Sequence, residues 1–218
     1  MAGATRARRK AERPSEILDA AFEEFALHGY AATRLEDVAA RAGVTKGTIY
    51  VYFESKERLF EALAHECGKE LHARIAPIVE DESEPTADSI RANLVSLFHA
   101  CVDDRRSQEF LRLLISEAMR FPVLVDEHFE SFMAPILGKL RQRLQRGIET
   151  GAFRASRAVD FPELLMGPAL SIHIWKLLFA ERRPLDTEQY IQSAVDLLLN
   201  GLLAPDGCVP ARGNRPKK

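Results

Sequence analysis

Residues 33–56, TRLEDVAARAGVTKGTIYVYFESK, constrain the fold more than any other stretch of the chain. They read as two short helices joined by a tight turn. Thr33, with Glu36 three residues on, has the spacing of a capping box and predicts a helix start. Leu35, Val38, Ala39 and Ala42 form the apolar face of that helix, and Ala39 is small where another helix must cross closely. Gly43 stops it where the chain needs a positive φ. Thr45 then caps a further short helix through Ile49 to Phe53, and Val44 and Ile49 are the anchors that fix the angle between the two. Such a pair is a helix-turn-helix, whose second helix lies in a DNA major groove.

The side chains suit that task. Thr45, Lys46, Thr48 and Tyr52 offer hydrogen-bonding groups on the exposed side of the second helix, and Gly47 has no side chain to hold the backbone off the bases. Lys46 can reach guanine O6 and N7, and the threonine hydroxyls can bond bases or phosphates. Tyr50 and Tyr52 can hydrogen-bond phosphate oxygens, and the Tyr50 ring can also pack against the first helix. Ser55 and Lys56 open the next helix, whose free N–H groups and lysine together suit a phosphate.

Charge points the same way. Residues 1–60 carry a net +1, residues 61–204 a net −6 and residues 205–218 a net +3, so the overall −2 conceals an acidic body with basic ends. Arg6, Arg8, Arg9, Lys10 and Arg13 crowd into the N-terminal arm. This pattern predicts a polyanion bound at one end, with Arg8, Arg9 and Lys10 reaching a minor groove or phosphates.

Everything after the arm reads helical. Ile17, Leu18, Ala21, Phe22 and Phe25 form an amphipathic stripe that Gly29 ends. The helix opened by Ser55 carries Leu59, Phe60, Leu63 and Leu71 and is expected to stop near Ile75, before Pro77. An acidic turn follows at 80–88. Further helical patterns lie at about 88–104, 107–120, 122–150, 160–181 and 187–203, with Pro135 and Gly167–Pro168 expected to kink two of them. There is no period-2 run to make a strand. Cys67, Cys101 and Cys208 are odd in number and never C-x-x-C, which argues against a disulfide framework and a zinc finger. His65 and His72 share a helix face with no third ligand at metal spacing.

The run Gly29, Tyr30, Thr33, Glu36, Asp37, Val38, Ala39, Ala42, Gly43, Val44, Thr45, Lys46, Gly47, Thr48, Ile49, Tyr50, Tyr52, Phe53, Ser55, Lys56, Glu57 and Leu59 resembles the DNA-binding domain of TetR-type transcriptional regulators. The match covers about 14–63. Arg34 departs from it, standing where the family often has a second threonine, and would make a stronger phosphate contact. Residues 110–132, with Glu117–Ala118–Met119–Arg120–Phe121–Pro122, resemble the ligand-binding half of AcrR- and AefR-like members. The resemblance implies an all-α homodimer with two recognition helices spaced for a palindromic DNA operator. A small apolar effector in the C-terminal domain would change their separation and release DNA.

The expected architecture is about nine helices: a basic arm (1–13), a three-helix helix-turn-helix domain (14–63), a larger ligand-binding and dimerisation domain (64–204) and a basic tail (205–218). The two last helices are apolar nearly all round, which calls for burial on two sides and hence a partner subunit. Leu170, Ile174, Leu177, Leu178, Ala194, Leu198 and Leu202 are the interface candidates. Phe98, Leu113, Glu117, Phe121, Phe132, Met133, Met166 and Trp175 are the pocket candidates, with Glu117 expected to pair with Arg112 or Arg120 or else to meet a ligand.

No cofactor and no metal are expected. No apolar run has the ~18–20 residues of a membrane helix and no apolar stretch follows the basic start, so a cytoplasmic protein is expected. The chain has no H-E-x-x-H, G-x-x-x-x-G-K or G-x-S-x-G, which counts against an enzyme. A DNA-binding protein without a ligand, or an activator, stays open at this level.

Overall fold

The computed structural model describes residues 2–84 and 86–200, with side chains from Arg13 onward. The side chains of Arg8, Arg9 and Lys10, and all of Leu202, Cys208 and the tail, lie outside the described residues. Helix α1 (Ala2–Ala32) changes direction at Gly29, where φ is 73°. There follow α2 (Leu35–Arg41), α3 (Lys46–Tyr52), α4 (Lys56–Val79), α5 (Ala87–Val102), α6 (Arg105–Glu117), α7 (Pro122–His128), α8 (Ala134–Glu149), α9 (Gly167–Phe179) and α10 (Thr187–Asn200). A π turn at Phe129–Met133 joins α7 to α8, and two 3-10 turns, Arg157–Asp160 and Pro162–Leu165, precede α9. Taken as one bent element, Pro122–Glu149 brings the α-helix count to the nine expected, and no strand occurs among the described residues.

Local chemistry explains most boundaries. Thr45, Ser55, Thr86 and Asp104 each accept the backbone N–H three residues on, so four helices start at side-chain caps. The expected capping box at Thr33 does not form. Arg34 occupies the cap position of α2 without a side-chain bond, and the Thr33 hydroxyl turns inward, 3.0 Å from the Glu24 carbonyl and 2.8 Å from the Gly29 carbonyl. Both acceptors belong to α1, which bends at Gly29 and brings them to Thr33, and a buried acceptor outranks an exposed cap. Helix α4 runs past Pro77 to Val79. The expected kinks also fall elsewhere: Pro135 and Pro168 sit in the first turns of α8 and α9, where a missing N–H costs nothing, and the bend belongs to the π turn.

Two apolar cores result. Ile17, Phe25, Tyr30, Val38, Ile49, Leu59 and Leu63 form the first, which also takes Phe110 and Leu113 of α6, Phe121, and Leu124 of α7. Ile75, Leu97, Phe98, Val102, Ile136, Ile172, Ile191 and Val195 form the second. Helix α4, about 36 Å long at 1.5 Å per residue, enters both: Phe60 and Leu63 lie in the first core, Ile75 and Val79 in the second.

Candidate functional site

The turn between α2 and α3 is closed by backbone bonds from Ala42 N to Val38 O (2.9 Å), Gly43 N to Ala40 O (3.2 Å) and Val44 N to Ala39 O (2.9 Å). Gly43 takes φ 64°, which a side chain would strain. Ile49 is fully buried and pins α3 to α1 and α2, leaving Thr45, Lys46, Gly47, Tyr50 and Val51 outward. A Cβ on Gly47 would meet nothing nearer than Thr45 Oγ1 at 3.8 Å, so no contact inside the protein requires glycine there.

Lys46 donates to Glu36 Oε1 at 2.7 Å and its ammonium lies 5.8 Å from the Tyr50 ring centroid. The same hydrogen bond holds the Glu36 carboxyl low and the Lys46 ammonium high, so Lys46 is a full cation at neutral pH. The Thr45 and Thr48 hydroxyls are 2.9 Å apart, each occupied in part by the other. Tyr52 packs half-buried against the first core, whereas Tyr50 and Arg34 are exposed. Ser55 Oγ accepts from Arg58 N at 3.2 Å, and Lys56 donates to the Ala31 carbonyl at 3.2 Å. Thr33, 2% exposed, is removed from the candidate DNA contacts: its hydroxyl is consumed within the protein.

The eight pocket candidates do not come together. Phe98 is buried in the second core, Leu113 and Phe121 in the first. Phe132 is buried against His65, His72 and His128. Those histidines form no metal cluster, and none of three or more ligating residues occurs among the described residues. Met133 and Met166 are half-buried. Glu117 is half-buried too, and no ion pair joins it to Arg112 or Arg120: Arg112 pairs with Glu109 at 2.7 Å instead.

Open space lies elsewhere. A cavity of about 730 Å³ runs between the end of α4, α5, α8, the segment 152–165 and the end of α10. Ile78, Leu94, Leu97, Leu140, Leu144 and Phe153 line its interior, with Asn93, Arg143, Arg154 and Ser156 as its main polar groups and no carboxylate among the described residues of its wall. Trp175 instead borders a second cleft of about 440 Å³ between α6 and α9. Of the interface candidates, Leu170, Ile174, Leu177 and Leu178 form an exposed apolar row on α9. Ala194 and Leu198 are half-buried against the second core, and Leu198 also lines the large cavity.

Sequence reasoning missed the joint that seats α6 on the first core. Arg105 makes a two-pronged pair with Glu23 (2.8 and 3.0 Å), Arg106 pairs with Asp19 (3.0 Å) and Glu70 (2.8 Å), and Arg112 donates to the Ala26 carbonyl (2.9 Å). Three arginines of α6 thus clasp α1 and α4. The signal was there: Arg105 and Arg106 stand at a helix N-terminus, where the dipole disfavours cations unless carboxylates answer them.

These features define a helix-turn-helix protein with a helical second domain. Residues 17–63 match the model of bacterial regulatory proteins of the tetR family, and residues 84–198 match the tetracyclin repressor-like C-terminal domain. The chain belongs to the TetR family of transcriptional regulators. It is similar to the HTH-type transcriptional regulator YhgD of Bacillus subtilis, 28% identical over 180 residues, 81% of this chain and 90% of that one. It is equally 28% identical to the transcriptional repressor KstR2 of Mycolicibacterium smegmatis, over 202 residues, 90% of this chain and 94% of that one. The fold is shared with FadR of Bacillus subtilis, solved in complex with stearoyl-CoA, at TM-score 0.69 and 21% identity, covering 87% of this chain and 99% of that one. No helix among the described residues is long and apolar enough to cross a membrane.

Proposed function

We propose that this protein is a ligand-responsive repressor that binds a palindromic operator as a homodimer and leaves it when a small apolar effector enters the C-terminal domain. The observation that carries this reading is the course of α4. It starts at Ser55–Lys56, beside the recognition unit, and ends with Ile78 and Val79 in the wall of the large cavity. A ligand that fills the cavity pushes on one end of a helix whose other end positions the DNA-reading head. The volume falls within the roughly 300–1,000 Å³ of small-molecule sites. The effect is a population shift, so the ligand must bind the DNA-competent and DNA-incompetent arrangements with different affinity.

DNA contacts in this reading are Arg34, Thr45, Lys46, Gly47, Thr48, Tyr50, Tyr52, Ser55 and Lys56, with Arg8, Arg9 and Lys10 from the arm. The exposed row on α9, with α10, supplies the dimer interface, and a second copy would also cover the smaller cleft beside Trp175. The domain division is 1–13, 14–63, 64–204 and 205–218, with α6 and α7 seated on the head. The protein works in the cytoplasm and performs no catalysis.

The test uses the full chain and an operator selected from random duplexes. A panel of apolar compounds, stearoyl-CoA among them, is screened for raising the melting temperature. Compounds that stabilise wild type but not Leu94→Trp, which fills the cavity, are then titrated against the operator complex. Release of DNA by such a compound is the expected result. A compound that occupies the cavity and leaves operator affinity unchanged refutes the coupling.

A further inference from the structure

The segment Glu117–Pro122 is distant in sequence from the recognition helix, yet it packs on the head. The Glu117 carbonyl accepts from Arg120 N (2.9 Å) and Phe121 N (3.0 Å), a tight turn that presents both residues to Tyr30. The Phe121 ring meets the Tyr30 ring edge-on at 5.0 Å. The Arg120 guanidinium lies 4.7 Å from the centroid of that ring, and the Lys56 ammonium lies 4.6 Å from the same centroid. Tyr30 is buried, and its hydroxyl donates to Glu57 at 2.9 Å, which fixes the ring. One buried tyrosine therefore carries two cations, one from the first residue of α4 and one from the loop beyond α6.

In the free protein this pairing is unfavourable. Burial, and after it the charge of Arg120, pull the Lys56 pKa down. The chain relieves such strain elsewhere: Arg105, Arg106 and Arg112 of α6 each pair with a carboxylate. Among the described residues neither Lys56 nor exposed Arg120 has an ion pair. The nearest carboxylates, Glu57 and Glu117, offset part of this charge without forming an ion pair with either cation, and burial and Arg120 still outweigh them at Lys56. Two cations held on one ring, neither of them in an ion pair, mark a place where local preference yields to function. The missing partner is an anion, and the anion next to the start of α4 in a DNA complex is a backbone phosphate.

We propose that Arg120 binds an operator phosphate beside Lys56, so that the C-terminal domain supplies a DNA contact of its own. The inference rests on the DNA-binding reading above.

The test compares wild type, Arg120→Gln, Arg120→Lys and the charge-matched control Lys139→Gln, on a surface position of α8. Operator affinity is measured across a salt series, with thermal melts to confirm folding. Losing one phosphate contact per protomer lowers the salt slope by about 0.9 for each, about 1.8 for the dimer. Arg120→Gln is expected to show that drop, Arg120→Lys to keep most of the slope and Lys139→Gln to match wild type. If wild type binds its selected operator and Arg120→Gln keeps the full slope, the proposal is overturned and the DNA-binding reading stands. Weaker binding at unchanged slope also overturns it, because a packing role on Tyr30 would then suffice. If wild type selects no duplex at all, the DNA-binding reading falls first and this inference with it.

Discussion

Leu178→Glu addresses the α9 face directly. Leu178 is 61% exposed in the single chain, beside the exposed Ile174 and Leu177. Fully burying a leucine contributes about 1.5–3 kcal/mol, so covering the exposed six-tenths contributes about 1–2 kcal/mol per copy. A two-fold interface counts the residue twice, about 2–4 kcal/mol in all. That loss alone raises the dimer dissociation constant roughly 30- to 700-fold, and a carboxylate placed in the same contact adds a desolvation penalty. Sedimentation velocity over a dilution series measures the constant, and a thermal melt of the monomer checks that the subunit still folds. The side chain makes few contacts within its own subunit, so folding should survive. A variant with the wild-type dissociation constant would refute the placement of the interface on this row.

Two further outcomes follow from buried titratable groups. Burial holds the His128 imidazole below its ordinary pKa of 6.5. The unfolded chain therefore takes up a proton first as pH falls, and the stability contributed by neutral His128 is present above that value and lost below it. Wild type should melt at a lower temperature near pH 5.5 than near pH 7.5, and His128→Asn should narrow that gap; an equal gap in both proteins would show that His128 does not carry it. Burial also pushes the Cys67 and Cys101 thiols up to about 11 and about 12. A thiol reagent at neutral pH should leave both unmodified in the native protein and label them in denaturant; rapid native labelling would mean that α4 or α5 opens readily.

Local chemistry was the most legible part of the sequence. Thr45 and Ser55 cap helices because their hydroxyls serve groups three residues away, and Gly43 turns because only a few residues tolerate its φ. The same logic failed at Thr33: Gly29 marks the bend in α1, but the capping pattern does not show that the bend brings two α1 carbonyls to the Thr33 hydroxyl. The pocket candidates do not gather round one cavity, for a related reason. Phe98, Leu113, Phe121 and Phe132 carry the helical spacing of a lining, but the spacing of a core is identical, and only three-dimensional packing separates the two. The actual cavity is bounded by ordinary residues, Leu94, Leu140 and Leu144 among them, and it exists because α5, α8 and the irregular segment 152–165 do not close on one another. The α6 clasp and the Tyr30 site join residues 26 to 91 positions apart, pairings of side chains that a single sequence does not display.

The most direct test of the account is the binding of wild type and Lys46→Ala to an operator selected by wild type and to each of its single-base variants. Lys46 stands on the outward face of α3, its charge held by Glu36 and free to exchange that partner for a base edge. Lys46→Ala is expected to bind about ten- to a hundredfold more weakly and to lose discrimination at one position in each half-site. Equal affinity and equal base preference in the two proteins would contradict the assignment of α3 as the reading helix.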